Sequence, residues 1–184
     1  MNDSANDQQP GLQNTPAPEA QPGEHIAYLS LGSNIDPVEN LKKAVALLRR
    51  RTRVLAVSTC WETEAVVSQP AQVKWPNFYN LGACVATSWD AEALKTQVLR
   101  PIEQELGRVR GADKYAPRPI DLDIVVFDGQ VIDAEIWERL YLALIFAEML
   151  PGLRNPETGE TPKDTAARLG PGRVAIPRPE IILP

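Results

Sequence analysis

Two aspartates separated by one residue are the groups in this chain best suited to chemistry. Asp121 and Asp123 begin the apolar stretch 120–127, which has the β-branched composition of a strand. Side chains two apart on a strand share a face, so both carboxylates point the same way. Such a pair repels itself unless a cation lies between the two groups, and a hard divalent ion carrying its own anionic ligand is the usual solution. The pair therefore predicts a site for magnesium and phosphate.

The surroundings of the aspartate pair favour this interpretation over a solvated acidic surface. The face of the strand opposite the carboxylates is wholly apolar, which places the pair where a buried sheet meets its rim. Three arginines approach the same end of the strand, and a guanidinium binds phosphate through two parallel hydrogen bonds. These are Arg108, Arg110 and Arg118. The combination indicates a phosphoryl-transfer site.

Composition excludes several classes of protein. The 184 residues carry a net charge of −5 and 43% hydrophobic residues, which predicts one ordinary core and argues against nucleic-acid binding through bulk charge. The N-terminus does not have the basic residues followed by an apolar run that are typical of a secretory signal peptide, and no apolar segment is long enough to span a membrane. We therefore expect a cytoplasmic protein. His25 is the only histidine, which rules out a histidine-based zinc site or a catalytic triad inside the domain. Cys60 and Cys84 are expected to be free buried thiols.

The elements that position the aspartates follow the order strand, helix, strand, strand, helix, strand. We predict the strands at 26–31, 53–63, 78–87 and 120–127, the first and the fourth of which end in turn signals. Asp36 is expected to cap the first helix, Pro101 to kink the second and Gly107 to end it. Asp128-Gly129 predicts a hairpin after the fourth strand. Residues 136–150 are ambiguous, with helix favoured for the later part.

This order predicts an α+β ferredoxin-like sandwich, in which two helices cover one face of an antiparallel sheet and leave the other for ligand. We expect a disordered tail at 1–24, the folded domain at 25–151, and a Pro/Gly-rich C-terminal extension at 152–184 with one strand near 173–176. Phe78 and Asn80 share a face at the start of the third strand, where they suit a flat hydrogen-bonding ring; core packing of Phe78 and turn capping by Asn80 are the simpler alternative. Glu103 lies one turn before Gly107 and can face the arginines, although alone it is an ordinary surface glutamate.

Several short segments, in this order and spacing, resemble the 6-hydroxymethyl-7,8-dihydropterin pyrophosphokinases of folate biosynthesis over residues 26–151. The segments are Leu31-Gly32-Ser33-Asn34, Glu62-Thr63, Asn77-Phe78-Tyr79-Asn80, Ile102-Glu103 with Gly107-Arg108-Val109-Arg110, and Pro117-Arg118-Pro119-Ile120-Asp121-Leu122-Asp123. Each segment is weak alone, and together they are specific.

The resemblance implies that ATP gives its β,γ-pyrophosphoryl group to the hydroxymethyl group of a reduced pterin and releases AMP. It implies that Asp121 and Asp123 hold two magnesium ions and that these aspartates, with Arg108 and Arg118, are the catalytic groups. The implied nucleotide contacts are Glu103, Arg108, Arg110 and Arg118. The implied pterin contacts are Thr63, Glu64, Val66, Phe78, Asn80 and Tyr115. The implied partners are therefore small molecules, with a monomer expected and a dimer as the alternative.

The chain departs from the family pattern after the hairpin. Family members carry a Pro-His-Pro-like segment there, followed by an arginine. The corresponding segment of this chain contains no histidine and is several residues shorter, and Arg139 is the candidate to replace the arginine. Two alternatives to an active pyrophosphokinase stay open. One is a weakened paralogue that binds a pterin as a scaffold or regulator, or uses a different pterin or donor. The other is a ferredoxin-like RNA-binding domain, which the acidic balance and the aspartate pair argue against.

Overall fold

The structure is a computed structural model that describes residues 19–65, 75–109 and 117–184. Its strands are β1 (His25–Ser33), β2 (Arg53–Val57), β3 (Trp61–Thr63), β4 (Phe78–Thr87), β5 (Asp121–Phe127), β6 (Gln130–Val131) and β7 (Ala175–Pro177). Its helices are α1 (Pro37–Arg51), α2 (Ala91–Ala93), a π-helical segment (Leu94–Leu99), α3 (Arg100–Glu105), a 3-10 turn (Ala134–Trp137), α4 (Leu140–Met149) and α5 (Pro162–Leu169). None of the helices within these ranges combines the length and apolar character that a membrane span requires.

All the strands form one antiparallel sheet, in the order β6-β5-β1-β4-β3-β7 with β2 also paired to β4. In the sheet, β1 lies between β5 and β4, and β2 and β3 both pair with the other edge of β4. Along the chain, these strands and the helices between them follow the order βαββαβ, with β2 and β3 counted as one strand. This confirms the predicted α+β ferredoxin-like architecture. It also brings β5, with its two aspartates, beside the first strand of the chain.

The predicted strand 53–63 is divided into β2 and β3. Ser58 causes the division because its side chain enters the sheet: the Ser58 Oγ accepts from the Gly82 N–H at 2.8 Å, while the Ser58 N–H donates to the Gly82 carbonyl at 2.9 Å. A side-chain oxygen therefore takes a place that a backbone carbonyl would have in a regular ladder. Hydrophobic alternation continues through such a break, so the sequence pattern reads as one strand.

The start of α1 differs from the predicted cap. Asp36 has φ 42°, in the left-handed region, and its side chain makes no capping bond. The Asn40 side chain instead donates to the Ile35 carbonyl at 2.7 Å and secures the entry to the helix. Pro37 is the first helical residue, as predicted, because its fixed φ suits that position.

The second helix, in which Pro101 is predicted to cause a kink, contains a π-helical segment directly before this proline. The chain widens into the π-helical segment, in which the Arg100 N–H donates to the Lys95 carbonyl five residues back. Pro101 is the second residue of α3, which continues this segment without a break, and the wider turn before it gives room for a residue that has no N–H to donate. Gly107 ends this helix with φ 83°, as expected.

Both faces of the sheet carry helices, which corrects the expectation that one face is left entirely to ligand. On one face, α1, the π-helical segment and α3 pack on β1, β4 and β5 around Leu29, Leu81 and Ile102. On the other face, Ile145 and Phe146 of α4 pack against the first half of β1 and the second half of β4. The run 136–150 is apolar on nearly every side, so α4 needs a buried position and takes half of the second face.

The C-terminal region contributes to the fold more than its composition predicts. A capping box between Thr161 and Asp164 begins α5, a helix that the Thr-Pro-x-Asp pattern at 161–164 could have revealed. The predicted strand near 173–176 appears as β7 and joins the sheet beside β3. Cys60 and Cys84 are free and buried, as predicted, and burial raises the pKa of the Cys60 thiol to about 12 and that of Cys84 to about 11.

Candidate active site

A cavity occupies the half of the second sheet face that α4 leaves open. Its walls come from β1, β3, β4 and β5 together with the chain between β6 and α4. The lining residues are Ser30, Gly32, Thr63, Glu64, Phe78, Asn80, Arg118, Asp121, Asp123, Asp133, Glu135, Arg139, Tyr141 and Leu142. Seven of the side chains proposed from sequence thus share one space: Thr63, Glu64, Phe78, Asn80, Arg118, Asp121 and Asp123.

Small residues on β1 leave room above the two aspartates. In the strand register Asp121 lies opposite Gly32 and Asp123 lies opposite Ser30. A side chain at Gly32 would intrude, because a Cβ atom there would lie 3.0 Å from the Asn80 Oδ1 and 3.7 Å from the Phe78 ring. The absence of a side chain at Gly32 therefore leaves unfilled space between the carboxylates and the aromatic end of the cavity.

The two carboxylates have different electrostatic surroundings. Arg108 and Arg118 both pair with Asp121, the latter at 2.6 Å. Burial alone would raise the pKa of Asp121, but the hydrogen bonds and charges of the two arginines outweigh burial and hold it below its usual value. Asp123 pairs with Lys95 at 3.4 Å and feels the charge of Arg108, but burial and the neighbouring Asp121 charge outweigh these two cations and raise the pKa of Asp123. Asp123 is therefore the carboxylate with greater need of an added cation.

Glu103 and Arg108 lie behind the cavity wall and support Asp121. The buried Glu103 accepts from the Arg108 Nη1 at 2.6 Å and from the Leu122 N–H of β5 at 3.0 Å. Arg108 also donates to the Ile120 carbonyl at 3.2 Å. Glu103 and Arg108 thus connect the end of α3 to the beginning of β5, where Asp121 lies. The nucleotide contacts expected of Glu103 and Arg108 remain predictions, while their contacts to Asp121 and β5 are observed.

The other end of the cavity suits a flat polar ring. Phe78 and Asn80 of β4 face it together, and the buried Asn80 Nδ2 donates to the Thr63 Oγ1 of β3 at 2.9 Å. Glu64 follows Thr63 on the same wall. An aromatic face beside fixed amide and hydroxyl groups can bind a heterocycle by stacking and by hydrogen bonds to its edge. Val66, Arg110 and Tyr115, also expected here, lie outside the described residues.

Comparison with known proteins identifies the family. Residues 28–151, more than half of the chain, match the 7,8-dihydro-6-hydroxymethylpterin-pyrophosphokinase (HPPK) family. The chain belongs to the HPPK family. It is 36% identical to the 2-amino-4-hydroxy-6-hydroxymethyldihydropteridine pyrophosphokinase of Bacillus subtilis, over 68% of this chain and 78% of that protein. It is 32% identical to the Pseudomonas aeruginosa protein of the same name, over 76% of this chain and 90% of that protein.

Solved HPPK structures share the fold. The Plasmodium falciparum HPPK-DHPS protein crystallised with pterin and p-hydrobenzoate superposes with a TM-score of 0.62 at 14% identity, covering 82% of this chain. This chain spans 45% of the length of that protein. At this level of identity the likeness concerns the fold alone, and it agrees with the ferredoxin-like sheet described above.

The cavity of this HPPK-family chain includes residues that sequence reasoning did not place there. Tyr141 and Leu142 come from the first turn of α4, and Asp133 and Glu135 from the turn before it. Arg139, offered above as the replacement for a missing arginine, lines the same cavity and pairs with Glu135 at 3.1 and 3.2 Å. A nearly uniform apolar run gives no sign of which helical residue will face a ligand, and only the docking of α4 decides it.

Lys95 is a further side chain that the sequence did not indicate. Strand β6 pairs with β5 only at Val126 and Phe127, so the half of β5 that carries the aspartates forms an edge among the described strands. Lys95, on the π-helical segment packed against the other sheet face, reaches Asp123 at this edge. The helix behind the sheet thus supplies a cation to the ligand side.

The opposite pKa shifts predict opposite effects of removing each carboxylate charge. Folding raises the pKa of Asp123, so the ionised Asp123 carboxylate reduces the free energy of unfolding once the pH rises above the pKa of this group in the unfolded chain. Folding lowers the pKa of Asp121, so the ionised Asp121 carboxylate increases the free energy of unfolding, and this stabilisation is lost as the pH falls. At pH 7 without metal, Asp123→Asn is therefore expected to raise the melting temperature and Asp121→Asn to lower it. Thermal melts at pH 7 check this. Repetition near pH 3, where the wild-type carboxyl of Asp123 is protonated, should abolish the gain from Asp123→Asn.

Proposed function

We propose that this chain transfers the β,γ-pyrophosphoryl group of ATP to the hydroxymethyl group of 6-hydroxymethyl-7,8-dihydropterin and releases AMP. The observation that carries the proposal is the single cavity with an acid pair at one end and an aromatic, amide-lined wall at the other, in a chain of the HPPK family. A phosphate-rich donor and a flat acceptor would meet between these ends.

The donor set of the acidic end fits magnesium. Among the described residues, acidic, histidine and cysteine side chains do not form a cluster of three or more that could hold a metal. Two carboxylates open to a cavity are what magnesium uses when a substrate phosphate completes its coordination. Asp121 and Asp123 would hold the ions, two being expected, and bound magnesium would neutralise charge on the triphosphate.

The arginines on the cavity wall suit the phosphates. Arg118 and Arg139 each face the cavity while paired with a carboxylate, Asp121 and Glu135 respectively. A triphosphate carries more charge than a carboxylate, so we expect these guanidiniums to exchange their present partners for phosphate oxygens when the nucleotide binds. Arg139 would then provide the nucleotide contact that the shortened segment after β6 would otherwise lack.

The aromatic end would bind and orient the acceptor. Phe78 and Tyr141 offer two rings, while Asn80 and Thr63 offer hydrogen bonds to the edge of the heterocycle. The acceptor hydroxyl then attacks the β-phosphorus, the bond from that phosphorus to the oxygen that leaves with AMP breaks, and the hydroxyl proton passes to solvent water. Catalysis of this kind is mostly positioning and charge stabilisation, so a dedicated base is not required. A monomer acting in the cytoplasm, where both thiols stay reduced, completes the proposal.

Identification of the nucleotide product tests the function directly. With ATP, magnesium and 6-hydroxymethyl-7,8-dihydropterin, chromatography should show AMP and pyrophosphorylated pterin in equal amounts. A 6-methyl analogue, which lacks the attacking oxygen, should give neither product. ADP in place of AMP would contradict transfer of a pyrophosphoryl group. Pterin binding without any turnover would support the scaffold alternative.

Removal of the Phe78 ring is expected to weaken acceptor binding. Loss of one stacking surface costs about 1–3 kcal/mol for comparable ring–aromatic contacts, so Phe78→Ala should raise KM for the pterin by about 5-fold to 150-fold. Initial rates at saturating ATP measure this. Trp89→Ala is the matched control, because Trp89 is an exposed aromatic that does not line the cavity. Equal pterin KM values for the two variants would exclude Phe78 from the acceptor site.

A further inference from the structure

The C-terminal segment completes the strand that lies at the acceptor end of the cavity. Residues 152–184 are outside the matched family region, yet β7 pairs with every residue of β3: Pro177 with Trp61, Ile176 with Glu62 and Ala175 with Thr63. Strand β3 has only three residues and pairs with β4 on its other side. A strand this short gains order from a second neighbour, because each added partner fixes more of its backbone groups.

Arg178, directly after β7, ties this segment to β3 through several contacts. Its Nε donates to the Glu62 Oε2 at 2.7 Å and its Nη2 donates to the same oxygen. Its backbone N–H donates to the Cys60 carbonyl at 2.8 Å, and its guanidinium lies 5.8 Å from the Tyr79 ring centre. The Glu62 side chain is only 12% exposed, so solvent screens this ion pair less than an ordinary surface pair.

Glu62 connects Arg178 to the start of β4. The Asn77 Nδ2 donates to the Glu62 Oε1 at 2.8 Å, so one carboxylate binds Arg178 through one oxygen and Asn77 through the other. Glu62 and Asn77 flank the connection between β3 and β4 in the sequence. Arg178 therefore stabilises the spacing between the last residues before that connection and the first residues after it.

The next residue on each strand belongs to the cavity. Thr63 follows Glu62 and Phe78 follows Asn77, and successive residues of a strand face opposite sides of the sheet. Accordingly Glu62 and Tyr79 lie on the side of Arg178, whereas Thr63, Phe78 and Asn80 line the cavity. The hydrogen bond from Asn80 to Thr63 spans the same two strands on the ligand side. A displacement of β3 relative to β4 would stretch this bond.

We propose that Arg178 is a positioning residue for the acceptor end of the site: through Glu62 it holds β3 against β4 so that Thr63 and Asn80 keep the spacing that a heterocycle requires. Arg178 does not touch the ligand. The inference depends on the proposed function for the identity of that heterocycle, a reduced pterin. It assigns the segment beyond the matched family region a role in acceptor affinity, separate from the donor end at Asp121 and Asp123.

Arg178→Ala should therefore weaken pterin binding selectively. With a saturating non-hydrolysable ATP analogue and magnesium, calorimetry should show an approximately tenfold rise in the Kd for 6-hydroxymethyl-7,8-dihydropterin. The KM for ATP, kcat and the affinity for the analogue should stay within about twofold of wild type. Arg173→Ala is the matched control, because it removes the same charge from an exposed position in the same segment. Arg178→Lys, which keeps the charge but lacks the planar fork, should recover part of the affinity.

A second variant keeps the test decisive if Arg178→Ala is unstable. Glu62→Gln keeps the side-chain size and an acceptor for Asn77 but removes the charge that faces Arg178, and it should show the same selective loss. Hydrogen exchange of the Thr63 and Asn80 amides should rise in both variants and not in Arg173→Ala. Wild-type pterin affinity in both variants, or an equal loss for both substrates, would overturn the inference. Failure of the wild-type protein to bind the pterin would instead refute the proposed function.

Discussion

Asp123→Asn is expected to lower kcat by about a thousandfold while the protein stays folded. A cation at the reacting phosphates contributes several kcal/mol of charge stabilisation, and each 1.36 kcal/mol is a tenfold change in rate. Of the two aspartates in the cavity, Asp123 gives the clearer experiment. Asp121 is held by two arginines, so its removal would also disturb them, whereas Asp123 pairs with the half-exposed Lys95. Asparagine keeps the shape of the side chain and removes only the charge and one oxygen ligand.

AMP release at saturating ATP and pterin measures this effect, together with calorimetry of pterin binding, which should change little. Asp128→Asn is the matched control: Asp128 follows the same strand, pairs with His25 outside the cavity, and has a positive φ that asparagine tolerates. It should retain wild-type kcat. A kcat above a tenth of wild type for Asp123→Asn would contradict the assignment of Asp123 to the metal. If Asp123→Asn loses kcat as expected and also raises the melting temperature, the two results together would show that Asp123 serves function and reduces stability.

Glu103→Ala should destabilise the fold by about 3–5 kcal/mol, the usual effect of removing one partner of a buried ion pair. The Glu103 side chain is 4% exposed and holds both the Arg108 guanidinium and the Leu122 N–H. Its loss leaves the buried Leu122 N–H without its acceptor and removes one of the two carboxylates, Glu103 and Asp121, that neutralise the largely buried Arg108 guanidinium. Since domains of this size are stable by only about 5–15 kcal/mol, this is a large fraction of the total. Catalysis should fall as well, because Arg108 positions Asp121.

Urea unfolding of the ligand-free protein measures this loss, and Glu105→Ala is the control. Glu105 lies two residues further along α3 and pairs with Arg51 at 2.7 Å, but its side chain is half exposed, so its removal should cost less than about 1 kcal/mol. Glu103→Gln keeps an acceptor for the Leu122 N–H and should fall between wild type and Glu103→Ala. Similar midpoints for Glu103→Ala and Glu105→Ala would show that Glu103 does not support β5.

The same glutamate marks the limit of what a helical pattern reveals. By spacing alone Glu103 is a polar residue on an amphipathic helix, and such residues usually face water. In the structure α3 ends against the edge of β5, so the residue one turn before Gly107 meets a strand backbone and an arginine. Helical periodicity gives the direction of a side chain relative to its neighbours on the same helix. It does not give the element that lies opposite.

Local pattern by itself determined the parts of the site that belong to a single element. Alternation on β5 placed Asp121 and Asp123 together, alternation on β4 placed Phe78 beside Asn80, and the cavity confirms both pairs. These features follow from the period of a strand, which any stretch of chain carries within itself. The order of strands and helices likewise predicted the ferredoxin-like sheet, because few topologies satisfy short, right-handed connections.

Only the tertiary structure decided which distant residues complete the site. The docking of α4 on half of the second face brought Tyr141 and Arg139 to the cavity, and the open edge of β5 let Lys95 reach Asp123. The pairing of β7 with β3 placed Arg178 on Glu62, which is 116 residues earlier in the sequence. These contacts depend on how whole elements share the available apolar surface. That is settled by the packing of the complete chain and leaves no periodic signal in any one segment.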